Sequence, residues 1–402
     1  MRIDLSHVPL IDAHAHPFCQ TREPKDFAMF ASSGYCAGPK QPQYARSKMH
    51  YVLMIDALRE YYALPEDTPD TEVEKERYRR YYGDPSDYYH AMLKDANIGV
   101  LCNEIGTPHS QPMFTKEEND YYSTLVPQEQ YCEIVRIERI FEELEPLKLP
   151  FEEYVRQFQV HTDHQIELHH AVGLKTLVAY YSGLHVQDIS DEAAKPSYER
   201  YVLQGIDDPK AKKDVYDHLV CMGLEACIRH NMAMQVHVGF GPSKFCLLED
   251  MSPLGLLEII RSPRFLNKVP ILLLHACDPF IKEAGYLTSQ FETVFCDFSS
   301  IGFVSVNCYS MIRTLMERAP VEKLLYGSDC VCFPETAWLA AKHGRRELTR
   351  LLQDLVDEGL LTARRAQRFG EMMLCENILA LYPELAQRPL IRSYLDGKKA
   401  SV

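Results

Sequence analysis

Short apolar runs rich in β-branched residues alternate along the chain with longer stretches whose apolar positions recur every three to four residues. The runs are VPLID at 8–12, IGVLC at 98–102, CEIVRI at 132–137, KTLVAY at 175–180, MQVHV at 234–238, ILLLH at 271–275, VFCDF at 294–298 and KLLYG at 323–327. Runs of this kind are what strands buried on both faces of a parallel sheet look like. Between them, KMHYVLMIDALREYYAL, FEEYVRQFQVHTDHQIELHHAVG and KDVYDHLVCMGLEACIRHN carry the period of amphipathic helices. Eight strand-plus-helix units predict an α/β chain closed into a (β/α)8 barrel of the TIM type. An open doubly wound sheet shares the alternation, but no GxGxxG follows the first strand.

Two stretches exceed a plain barrel. About 85 residues separate the first two strands, where one unit needs roughly 30. This insert, 17–97, holds ten of the 24 tyrosines and the acidic stretch LPEDTPDTEVEKE. Insertions after a barrel strand lie on the catalytic face, so the insert reads as a lid; the same tyrosines would equally pack an extra helical hairpin. At the other end, RRELTRLLQDLVDEGLLTARRAQRFGEMMLCENILALY reads as two or three helices with a stop at Gly359. No repeat or low-complexity tract divides the chain, so 1–402 is expected to be a single barrel domain with these additions.

Composition narrows the partners. With 46% hydrophobic and 25% charged residues the chain is an ordinary globular one. Its net charge of −14 repels phosphate backbones and anionic lipid. A small-molecule substrate is therefore expected, with no nucleic-acid or membrane partner. The 13 cysteines form no CxxC pair and are scattered through apolar segments, as small buried hydrophobes kept reduced would be. The opening MRIDLSHVPLIDAHAH has no apolar stretch of signal-peptide length, which points to a cytoplasmic location.

The candidate chemistry sits at strand ends. In IDAHAHPF, His14 and His16 are two apart on a strand, so both imidazoles point to one side and can share a metal ion. His237 closes MQVHV, His275 closes ILLLH, and Asp329 follows KLLYG. Ionisable groups where buried barrel strands open into loops converge on one mouth. Strand 3 is unusually charged: by alternation Arg136 and Glu138 share a face, either to bind a substrate carboxylate or as a buried ion pair. Tyr180, Tyr181 and Glu104 are further lining candidates; Asp278 would orient His275 or cap a helix, and Asp297 is another inward candidate.

DAHAH, QVHVG, LLLHA, YGSD and the closing ENILALY, in this order, resemble the amidohydrolase superfamily, in its branch of metal-dependent barrel hydrolases and decarboxylases. The resemblance implies that His14, His16, His237 and Asp329 hold one divalent metal ion, Zn2+ first, with Mn2+ or Fe2+ as alternatives. It implies that His275 is an acid/base or orienting group, that Asp329 also accepts a proton from the attacking water, and that the protein forms a homodimer. Binuclear members carry a carboxylated lysine at the end of strand 4. Here the strand's lysine is Lys175; five residues at about 3.3 Å place it roughly 16 Å from Tyr180, on the far face of the barrel, so a mononuclear site is expected. The segment GLKTLVAYYSGL also resembles the amidohydrolase-type domains fused to glutamine-synthetase-like domains in plant and fungal proteins. The expected reaction is hydrolysis of a C–N or C–O bond in a small carbonyl compound, with a decarboxylase of the same branch, or a binding barrel without turnover, as rivals.

Overall fold

The computed structural model describes residues 2–17, 27, 28, 31, 42–105, 125–241, 247–299, 306–331 and 333–400. Eight parallel strands follow one another in chain order: β1 Leu10–Ala15, β2 Ile98–Glu104, β3 Tyr131–Arg136, β4 Gly173–Thr176, β5 Ala233–Val236, β6 Ile271–Leu273, β7 Val294–Asp297 and β8 Leu324–Leu325. The barrel closes where β8 returns to β1: the Ala13 N–H donates to the Tyr326 carbonyl at 3.0 Å, and the Asp329 N–H to the His14 carbonyl at 2.9 Å. The expected (β/α)8 barrel is what the chain forms.

Helices pack outside the strands. They are α1 Met49–Tyr61, α2 Asp70–Gly83, α3 Pro85–Asp95, α4 Ile137–Leu144, α5 Phe151–His169, α6 Pro209–His230, α7 Ile281–Gln290, α8 Cys308–Met316, α9 Pro334–Asp357, α10 Ala363–Glu371 and α11 Pro389–Ala400, with shorter helical turns between. Their starts are written locally. Asp208 accepts from the N–H groups of Lys210 and Ala211 before α6, and Asp84 from that of Asp87 before α3, each followed by proline at the first helical position. A cap of this kind contributes about 1 kcal/mol.

The C-terminal segment plugs the end of the barrel opposite the mouth. Asn377 of ENILALY donates to the carbonyls of Val321 and Leu324 beside β8. Tyr382 is fully buried, and its hydroxyl meets the Gln235 side-chain amide, which also reaches the Ala13 carbonyl. That polar plug links three separated segments, so the motif at the end of the chain serves barrel closure.

In the described part of the insert, α1, α2 and α3 lie against α9 rather than forming a separate body. Arg77 of α2 is wholly buried and pairs with Glu335 in the first turn of α9, Nε to Oε1 at 2.5 Å. The rings of Phe27, Tyr78, Tyr81 and Phe333 surround its guanidinium at 4.3–5.2 Å. Tyr88 donates to the same Glu335 oxygen at 2.9 Å and meets the Tyr62 hydroxyl. Several of the insert's tyrosines thus pack and satisfy a buried ion pair. Part of 17–97 lies outside the described residues.

Candidate active site

The mouth is assembled by the barrel seam. Period-two alternation on β1 puts Asp12 and His14 on the same side. The Asp12 carboxylate accepts the N–H groups of Ser328 at 2.9 Å and His14 at 3.3 Å, which fixes the β8 loop against β1. Asp329 then sits beside both histidines: its Oδ1 is 3.1 Å from His16 Nε2 and 3.4 Å from His14 Nε2. Asp329 holds a left-handed φ of 52°, and His275, Ala276 and Cys277 have φ of 64°, 51° and 54°. Such backbone costs of order 1–3 kcal/mol per residue and persists where the surroundings over-determine it. Gly239, in the loop after β5, is required sterically: φ is +83°, and a Cβ there would stand 2.2 Å from the Asp278 carbonyl oxygen.

One ligand atom each from His14, His16 and Asp329 lie within 4.8 Å of one another. His14 is fully buried, yet neither ring nitrogen has a hydrogen-bond partner among the described residues. Burial pushes its imidazole down to about 3, and nearby Lys175 pushes the same way, so the ring is neutral and its lone pair free at ordinary pH. Burial alone would raise Asp329, but the neighbouring His275, His14 and His16 rings outweigh it and hold the carboxylate well below the usual range. Two imidazoles, the buried one neutral and without a hydrogen-bond partner, and one carboxylate are a donor set suited to a divalent ion such as zinc.

His237 and His275 form a second unit beside this cluster. His237 Nε2 lies 3.0 Å from the Phe240 carbonyl, which can only accept, so the proton is on Nε2 and Nδ1 is bare. His275 Nε2 lies 3.0 Å from His237 Nδ1, and its Nδ1 lies 3.0 Å from the Ser299 oxygen, whose hydroxyl donates to the Asp297 carboxylate at 2.9 Å. Asp297 accepts the N–H groups of His275, Ala276 and Ser299 and so holds the turn. Burial depresses both histidines well below their ordinary values. His237 is thus hydrogen-bonded to His275 rather than grouped with the other three expected ligands. His275 lies close behind His14, with ring centroids 5.5 Å apart.

Three expectations are corrected. Strand 4 ends at Thr176, not Tyr180, because Val178–Tyr181 winds into a helical turn. Lys175 is therefore one residue from the strand's end, buried in register with Arg136 on β3, and its charge acts on Glu104, Asp329 and His14. Its supposed distance from the mouth no longer supports a mononuclear site. Arg136 is the last residue of β3, so Glu138 belongs to the first turn of α4 and strand alternation does not relate them. Glu138 Oε1 accepts from the Thr176 hydroxyl at 2.5 Å and the Leu177 N–H at 2.9 Å, a tether on the end of β4. Tyr180 meets the His237 ring edge-on at 4.5 Å, whereas the Tyr181 hydroxyl donates to Glu142, away from the cluster.

Glu104 matters more than its sequence position suggested. Its carboxylate pairs with Arg136 and lies 3.6 Å from His16 Nδ1, so it orients that ring. Ser299 was not anticipated; it lies two residues past the end of β7, where strand alternation gives no signal.

Burial raises the Glu138 carboxyl from 4.5 to about 7, against the hydrogen bond from Thr176 and the charge of Arg136. Between those values the unfolded chain releases a proton that the folded chain keeps, so stability falls as pH rises. The stability of the wild type relative to Glu138→Gln is expected to drop by up to about 3 kcal/mol between pH 4.5 and 7.5. Urea unfolding at both pH values checks this, and a flat or rising difference would show a carboxylate ionised throughout.

The amidohydrolase family model, Amidohydro_2, matches residues 188–383. The Protein fluG of Emericella nidulans is 30% identical over 251 residues, 60% of this chain, and the chain spans 28% of that protein's length. Among solved structures, a protein assigned as a metal-dependent hydrolase from Lactobacillus casei aligns with TM-score 0.76 and 21% identity, covering 96% of this chain and 98% of that one. The uronate isomerase of Thermotoga maritima aligns with TM-score 0.67 and 14% identity over 93% and 94%. At these identities the two structures establish a shared barrel fold and leave the reaction to the residues at the mouth. No helix among the described residues is long and apolar enough to cross a membrane.

Proposed function

We propose that the protein is a metal-dependent hydrolase acting on a C–N or C–O bond of a small carbonyl compound. The observation that carries this is the buried, unpartnered His14 imidazole facing His16 and Asp329 at the mouth of an amidohydrolase barrel. His14, His16 and Asp329 would hold one divalent ion, most suitably zinc, with manganese or iron as alternatives, and His237 is placed to join them only by giving up its bond to His275. Such an ion polarises a carbonyl and lowers the pKa of water toward about 7. Asp329, kept anionic by its imidazole neighbours, accepts a proton from the attacking water. Asp329 then returns that proton to the leaving group, while His275, set between His237 and Ser299, orients the substrate. Glu104 keeps the His16 ring turned toward Asp329.

Turnover in 18O-labelled water tests this reading across a panel of amides, esters and lactones. The expected result is one labelled oxygen in the product, with activity lost to a chelator and restored by zinc. Unlabelled product with release of carbon dioxide would make the enzyme a decarboxylase instead. Ligand-induced thermal stabilisation with no turnover on the whole panel would make it a binding barrel.

A further inference from the structure

Arg136 and Lys175 are paired in register on β3 and β4, so their side chains leave the sheet on the same side, into the barrel. Arg136 is 4% exposed and Lys175 1%. Of the guanidinium nitrogens, Nη2 donates to Glu104; Nε and Nη1 are buried without a hydrogen-bond partner among the described residues. Arg136 and Lys175 thus share the Glu104 carboxylate, which also faces His16, while Glu138 acts on Arg136 and Asp329 and Asp297 on Lys175. A buried donor left unmade costs about 1–3 kcal/mol, and more when it is charged. Arg136 carries two such nitrogens a single residue, Glu104, away from the histidine cluster.

We infer that Arg136, flanked by Lys175, is a carboxylate-recognition subsite, and that the substrate carries a carboxylate close to its reacting carbonyl. The inference rests on the proposed reaction for the meaning of the site and deepens it by naming the substrate class. The guanidinium suits a carboxylate, because its charged N–H groups are fixed in one plane and the idle Nε and Nη1, on different edges, each offer a charge-assisted hydrogen bond. Lys175 adds charge without directional demand. The anion held there would sit across Glu104 from His16, which orients the substrate's carbonyl end toward the His14–His16–Asp329 cluster.

Malonate and its neutral diamide, malonamide, are the probes, titrated into zinc-loaded and metal-stripped protein by calorimetry. Malonate is expected to bind at least about tenfold more tightly than malonamide in both forms, as a charge-assisted pair should. Arg136→Lys keeps a cation for Glu104 but removes the idle guanidinium edges, and it is expected to abolish most of that preference; Lys175→Met is expected to reduce it. Wild-type crystals soaked in malonate locate the anion even where a variant fails to fold, with a carboxylate expected on Arg136 Nη1 or Nε. Equal binding of the two probes, an unchanged preference in Arg136→Lys, or only ordered water at Arg136 in the soaked crystal would overturn the inference. Malonate on Arg136 in a protein that takes up no metal would keep the subsite and sink the proposed reaction. Metal at the histidine cluster with malonate bound there alone would do the reverse.

Discussion

Replacing His14 by Ala is expected to strip the protein of its metal and to lower turnover by at least about a hundredfold. The size of the effect follows from where the ring is. His14 is fully buried, its two nitrogens have no partner in the described structure, and its imidazole is neutral down to about pH 3. A polar ring in that condition has no evident role in stability, since a buried group without hydrogen bonds destabilises the fold that contains it. Asp329→Asn is expected to act in the same direction, because the amide keeps the shape but loses the charge that His14 and His16 face. Metal content per chain, measured after dialysis, separates loss of the ion from loss of a later step; a thermal unfolding curve confirms that each variant is folded. Full metal occupancy in His14→Ala would contradict the assignment even if turnover fell.

The second large effect is expected far from the cluster. Arg77→Leu leaves the Glu335 carboxylate buried and uncompensated, with Tyr88 still donating to it, and should destabilise the protein by about 3–5 kcal/mol. Removing both charges, Arg77→Leu with Glu335→Gln, is expected to recover much of that loss, because the cost lies in the stranded charge rather than in the pair's absence. Glu335 stands in the first turn of α9, where a helix dipole favours a negative group, and only six residues after Asp329. Loosening this contact therefore frees the insert and the β8 loop together, so weaker metal retention should accompany the lower unfolding midpoint. A shift in midpoint of under about 1 kcal/mol, the range of an exposed pair, would mean that the aromatic rings and not the ion pair hold the insert.

The barrel was legible because its strands are buried on both faces and so appear as apolar runs, and all eight fall where those runs lie. The strand ends were less legible. KTLVAY continues apolar past Thr176, but Glu138 captures the Thr176 hydroxyl and the Leu177 N–H, and the chain turns helical there. That single boundary moved Lys175 from an imagined remote face to the neighbourhood of Asp329. The same kind of boundary took Glu138 off β3 and out of the mouth. The clustering of His14, His16 and Asp329 was legible because ionisable side chains where buried barrel strands open into loops converge on one mouth. Arg77 could not be found that way: DTEVEKERYRRYYG looks like a solvated helix, and its buried partner is 258 residues away.

The most direct test of a metal site built from His14, His16 and Asp329 is anomalous diffraction at the zinc edge from crystals of the zinc-loaded chain. One peak among those three side chains is the predicted result, with Lys175 uncarboxylated. No peak there, or zinc held only by other residues, would contradict the account; a second peak between His237 and His275 beside a carboxylated Lys175 would contradict the single-ion site.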